Sequence, residues 1–128
     1  MKQTTKDWLS LAEDDLLAAK KLAGNDRLTN LVSFHCQQCL EKCFKAIIEE
    51  KDMPSIRSHD LLRLQLIANI QLSDSETILL SMINETYIDA RYPGDLGLLP
   101  NGRPTISEIG PFIQLCETVF NRLKDKLG

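Results

Sequence analysis

Asp15, His35, Asn84, Tyr87 and Arg91 are polar residues standing at or within the apolar faces of three different helical stretches. If those faces converge, the five side chains make one cluster inside or at the rim of a bundle. Two chemistries fit such a set. In one, Arg91 and Lys42 hold a phosphate while Tyr87 or Tyr92 stacks a base. In the other, Asp15 pairs with His35, Tyr87 or Arg91, and the cluster fixes helix register, because buried polar groups are normally satisfied by one another. A lone carboxylate in an apolar face is costly, so Asp15 is expected to be paired or to sit at the end of the core.

The cysteines are the second set with chemical reach. Cys36-x2-Cys39-x3-Cys43 share one helix face, with Cys116 elsewhere in the chain. Cys36 and Cys43 would lie about 10 Å apart along the axis. A single zinc with sulfurs at about 2.3 Å is poorly served by that spacing. The sulfurs therefore read as small packing side chains, or as the lining of a contact between protomers, and no metal or cofactor is expected. His59 follows a helix-capping serine, a position that suits surface or cap chemistry. Lys42 and Lys45, with Lys20 and Lys21, form either a basic strip or an ordinary solvated face.

The element that must position these groups is the stretch 31–50, which has no proline or glycine. Val32, Cys36, Cys39, Cys43 and Ala46 fall within an arc of about 80° on a helix. Gln38, Glu41, Lys42 and Lys45 lie opposite, and His35 sits at the seam. Small side chains along the stripe would let another helix approach closely, as at the centre of a bundle.

Around it, a first helix is expected to start near Thr4 or Thr5, with a threonine hydroxyl as cap, and to end at Gly24-Asn25-Asp26. The central helix then spans about Leu28 to Lys51. Ser58 is expected to cap a short helix, Asp60–Ala68. Ser73 or Ser75 caps a fourth, which runs to about Arg91. Residues 92–104 hold three prolines and three glycines and cannot form a regular element. Leu96, Leu98 and Leu99 in that loop are expected to pack on the bundle or on a partner. Thr105-Ile106-Ser107-Glu108 fits a capping box for the last helix, with Gly110-Pro111 kinking it or delaying its start. No stretch alternates with period two. The expected fold class is all-α, an up-and-down four-helix bundle with an additional short helix, in one domain over residues 1–128.

In this order the chain resembles the HEPN family (higher eukaryotes and prokaryotes nucleotide-binding domain). The resemblance is carried by Trp8, Ala12 and Asp15-Leu16 in the first helix, and by Phe34-His35, Gln37-Gln38, Glu41-Lys42 and Lys45-Ala46 in the second. His59 before a leucine-rich helix and Tyr87 with Ala90-Arg91-Tyr92-Pro93 complete it. The resemblance implies a helical bundle, commonly a homodimer. It also implies a minimal nucleotidyltransferase as partner, in some relatives as a toxin–antitoxin pair.

One departure matters. HEPN ribonucleases carry an arginine followed, after four to six residues, by a histidine, but Leu96, Gly97 and Leu98 stand at those positions after Arg91. Arg91 can hold a phosphate but cannot move a proton. The expectation is a non-catalytic binding module that holds nucleotide or RNA phosphate near Arg91. The alternatives are a diverged ribonuclease using His35 or His59 and, third, a cysteine-dependent metal or redox protein.

A net charge of −3 draws the whole molecule to no nucleic acid, although a local patch is still able to bind. The apolar runs are too short to span a membrane, and the segment MKQTTKDW lacks the apolar core of a signal peptide. The cytoplasm is the expected compartment, with thiols reduced.

Overall fold

The computed structural model describes residues 1–54, 57–91 and 103–127, with side chains 87–91 outside the description. Among the described residues all regular structure is helical, and the all-α class holds. The order is α1 (Gln3–Leu22), a single 3-10 turn (Asp26–Leu28), α2 (Thr29–Glu50), α3 (Leu61–Ala68), α4 (Asp74–Arg91) and α5 (Ile106–Leu127).

Helix α2 is the centre. It packs against α1 along its length and also touches α3, α4 and α5. The small-residue stripe is fully buried: Val32, Cys36, Cys39, Cys43 and Ala46 have no solvent exposure. Phe44, Leu40 and Ile47 flank it, meeting Phe112, Val119, Leu64, Leu80 and Ile83 in one continuous core. The Cys116 thiol donates to the Cys36 carbonyl at 3.4 Å, so α5 lies close against the cysteine stripe. A bulkier side chain at these positions would hold the two helices apart.

The helix ends follow local chemistry, with two corrections to the expected caps. α1 begins at Gln3, and Lys2 in the cap position makes no side-chain capping bond. The two threonines serve another purpose. Thr4 Oγ1 donates to Glu49 and Thr5 Oγ1 to Glu50, at 3.0 and 2.9 Å, tying the start of α1 to the end of α2. These bonds between opposite ends show that α1 and α2 run antiparallel. At α3 the cap is Asp60, whose Oδ1 accepts from the Leu62 and Arg63 amides, while Ser58 accepts from the Asp60 amide one step earlier. Asn69 in the left-handed region closes that helix.

Helices α4 and α5 begin with capping boxes. Ser73 and Glu76 exchange bonds, as do Thr105 and Glu108. Pro111 lies inside α5, which starts at Ile106 and not after the proline. One backbone bond is lost there, and the capping box upstream is strong enough to carry the helix across the gap.

These ends and the core differ in scale. Phe44→Ala is expected to cost about 3–5 kcal/mol, because a fully buried ring leaves a cavity between α2 and its neighbours. Thr105→Ala is expected to cost about 1 kcal/mol, the usual worth of a helix cap. Urea denaturation of both variants measures the difference. Equal losses would mean that the core around α2 is loosely packed.

Candidate functional site

The antiparallel pairing of α1 and α2 puts Asp15 opposite the interval between His35 and Lys42. Those two residues are seven apart on α2, two turns of helix. Each takes one oxygen of the carboxylate: His35 Nδ1 lies 2.8 Å from Oδ1, and Lys42 Nζ lies 2.5 Å from Oδ2. Because an ionised carboxylate only accepts, Nδ1 of His35 carries the proton and donates. Nε2 points away from the pair and has no partner among the described residues. Phe34 meets the same ring edge-on, with centroids 5.3 Å apart. Asp15 is buried, 8% exposed, and both its partners are half-buried. The carboxylate inside the apolar face is thus fully paired.

A second cluster of the same kind stands on the side of α2 that was expected to face water. Glu41 is only 5% exposed. Its Oε1 accepts from His59 Nδ1 at 2.8 Å, and its Oε2 accepts from Lys45 Nζ at 2.9 Å. Buried Gln37 donates to Glu41 at 3.2 Å and to the His59 carbonyl at 3.0 Å, while its own Oε1 accepts from Gln38 at 2.7 Å. Lys45 also sits over the Trp8 ring, 5.7 Å from its centroid. Burial alone would push the Glu41 carboxyl up, but the bonds from Lys45, His59 and Gln37 outweigh it and hold the carboxyl below its usual range.

The residues singled out in the sequence therefore divide. Asp15, His35 and Lys42 come together. Asn84 goes elsewhere: its Oδ1 accepts from the Leu61 amide at 3.1 Å and its Nδ2 donates to Asp60 at 3.2 Å, so it fastens α4 to the start of α3. The backbone of Tyr87 and Arg91 is in the last turns of α4, but their side chains, Tyr92 and the loop to residue 102 lie outside the described residues.

Three of the four lysines of the basic strip are held by carboxylates, and Lys21 is exposed with none among the described residues. Lys42 and Lys45 are each neutralised by a carboxylate, and Lys20 pairs with Glu117. All four cysteines are buried as free thiols. Burial, with Cys36 and Cys39 alongside, pushes the Cys116 thiol well above its usual range. The hydrogen bond with Cys39, and burial, do the same for Cys43. Among the described residues no group of three metal-ligating side chains is arranged to hold an ion. No helix there is long and apolar enough to cross a membrane.

The Glu41 cluster was missed because helical periodicity assigns Glu41 and Lys45 to the polar back of α2. Its signal was present nonetheless. An acid and a base stand four apart, and His59 stands just before a leucine-rich helix that must dock somewhere.

Comparison with known proteins gives a consistent picture. The family model described as HEPN domain matches residues 5–126. The crystal structure of TT1696 from Thermus thermophilus superposes with a TM-score of 0.76 at 20% identity, covering 98% of this chain and 99% of that one. The structure of ST0689, described as an archaeal HEPN homologue, gives 0.72 at 21% identity with both chains fully covered. These likenesses establish the fold. No curated protein sequence matches significantly.

Two outcomes are expected of the carboxylate clusters. Asp15→Ala strands two donors and is expected to cost about 2–3 kcal/mol, whereas Lys42→Ala leaves His35 on the carboxylate and costs about 1 kcal/mol. Urea denaturation of both variants ranks them, and the reverse order would show that Asp15 is not the hub. For Glu41, whose folded carboxyl is depressed, the stabilisation is complete above the unfolded value of about 4.3 and is lost as pH falls through the lower folded value. Glu41→Gln is therefore expected to be less stable at pH 7 and to show a flatter loss of stability between about pH 5 and 3. A variant curve parallel to the wild type would contradict that assignment.

Proposed function

This chain belongs to the HEPN domain family, and from that premise we propose that it is a non-catalytic binding module. In this reading it is a single-domain, cytoplasmic homodimer that partners a minimal nucleotidyltransferase in a toxin–antitoxin-like pair. It holds a nucleotide or RNA phosphate near Arg91, with Tyr87 or Tyr92 as a stacking surface.

The observation that carries the non-catalytic part is the placement of histidine. The chain has two, and neither follows Arg91 at the spacing of the family's ribonucleases. Both direct Nδ1 to a carboxylate, His35 to Asp15 and His59 to Glu41, within clusters that join α1, α2 and the approach to α3. Of the two cations expected to hold a phosphate, Lys42 is already paired with Asp15, which leaves Arg91.

One feature favours a second reading. A carboxylate that fixes an imidazole through Nδ1 is also the way a general base is oriented, so His35 is the residue on which a diverged ribonuclease would depend.

The two readings separate in one experiment. Purified protein and its Arg91→Ala variant are incubated with a mixed RNA pool in the presence of chelator, and binding of a labelled oligonucleotide is followed across a salt series. The expected result is intact RNA throughout. Binding by Arg91→Ala is expected to be weaker at every sequence, with a salt slope lower by about one. Cleavage that disappears in Arg91→Ala or His35→Ala would overturn the binding-module reading. The partner is tested by co-purification with a minimal nucleotidyltransferase, and the dimer by light scattering.

A further inference from the structure

The cysteines carry chemistry that neither the carboxylate clusters nor Arg91 uses. Cys36, Cys39 and Cys43 stand on α2 and Cys116 on α5, all four without solvent exposure. Their sulfurs meet. The Cys116 thiol, 3.4 Å from the Cys36 carbonyl, also bonds with the thiols of Cys36 and Cys39, and Cys39 bonds with Cys43. A helix carbonyl lies beside the side chains three and four residues further on. The position of Cys116 against the Cys36 carbonyl therefore sets its sulfur beside Cys39. Within α2 the cysteines are poorly placed to pair, because side chains three or four apart have Cβ atoms about 5–6 Å apart and a disulfide spans about 3.5–4.5 Å. Two sulfurs from different helices, packed together through small side chains, escape that limit.

We propose that Cys39 and Cys116 form a redox latch, in which hydrogen peroxide converts the two thiols to a disulfide that ties α5 to α2. Cys39 reacts first. Bonds from Cys116 and Cys43 outweigh burial and hold its thiol below the usual range, which favours the thiolate. The Cys39 sulfur attacks one peroxide oxygen, the O–O bond breaks, and the hydroxide that leaves takes up the Cys39 proton as water. Cys39 is then a sulfenic acid. The Cys116 sulfur attacks it, the S–O bond breaks, and hydroxide leaves with the Cys116 proton as a second water. Two thiols have lost two electrons and two protons, and one peroxide has become two waters. Burial sets the pace of this reaction. Peroxide, little larger than water, reaches Cys39 when α5 lifts from α2, and closure returns Cys116 to the sulfenic acid. A dithiol reverses the latch by exchange. The latch does not rest on the binding-module reading.

The test treats the full chain with excess hydrogen peroxide, alkylates the remaining thiols in denaturant and reads the tryptic fragments by mass spectrometry. Trypsin leaves Cys36 and Cys39 on residues 28–42 and Cys43 on residues 43–45, and tandem fragmentation separates Cys36 from Cys39. The expected product is one disulfide within the chain, Cys39–Cys116, with Cys36 and Cys43 alkylated. It is expected to raise the melting midpoint by about 10 °C, as closure of a long loop does, and dithiothreitol is expected to reverse the rise. Cys36→Ala is expected to keep the link, whereas Cys39→Ala and Cys116→Ala lose it. Mapping of the unsubstituted chain decides the pairing whether or not each variant folds. Four thiols still reduced, a link through Cys36 or Cys43, a disulfide between chains, irreversible oxidation of Cys39 without a link, or an unchanged midpoint would each overturn the proposal.

Discussion

The structure depends on one constraint: α2 is largely enclosed by other helices, yet it carries polar residues beside and behind its apolar stripe. A helix facing water on its back can leave lysines and glutamates there at little cost. Glu41, Gln37, His35 and Lys42 do not have that option. Each must be satisfied by a neighbour, since a buried unpaired charge would cost more than its burial could return. The fold answers with two carboxylates, Asp15 from α1 and Glu41 from α2 itself, each holding one lysine and one histidine. The two clusters also join elements distant in sequence. Asp15 sets the register of α1 on α2, and Glu41 anchors the approach to α3. Buried pairs of this kind add little net stability compared with apolar packing, but removing the shared carboxylate strands both its partners, so they specify the arrangement more than they strengthen it.

The same pairing decides what the molecule can offer a ligand. A lysine held by a buried carboxylate is not an open phosphate site, because a ligand would have to displace a partner already desolvated. Lys42, which the sequence places beside a candidate phosphate, is committed in this way at 2.5 Å from Asp15. Histidines held through Nδ1 keep a fixed ring and tautomer, which serves structure and proton transfer equally. For that reason geometry alone gives His35 two readings, and chemistry beside Arg91 has to choose between them.

Much of this was legible in the chain. The cysteine–alanine stripe of α2, the fourth helix, the capping box at Thr105 and the all-α class all follow from helical spacing and cap residues, both of which act locally. Asp15 was legible as a residue in need of a partner, because an acid inside an apolar face demands one. The partner's identity was not: His35, Tyr87 and Arg91 satisfied the same rule, and only the pairing of α1 with α2 selects His35 and Lys42. The caps of α1 went wrong for a related reason. Thr4 and Thr5 have the chemistry to cap, but Glu49 and Glu50 arrive from the far end of α2 and take both hydroxyls. Asn84 shows the same limit, since its place at the head of α3 depends on where α4 crosses. Side chains that bond within one turn can be read from sequence, and those that bond across the bundle need the fold.

That distinction bears on where binding should be sought. Within the bundle, Asp15 and Glu41 each hold one lysine and one histidine, so these groups are occupied in holding the fold together. At the surface the matching lapses, and Lys6, Lys21, Lys51, Lys124 and Lys126 have no carboxylate partner among the described residues. An exposed lysine of that kind adds little to folding and is open to an anion from outside. The clusters stabilise the chain by being filled from within, whereas an exposed lysine gains only when something from outside pairs with it.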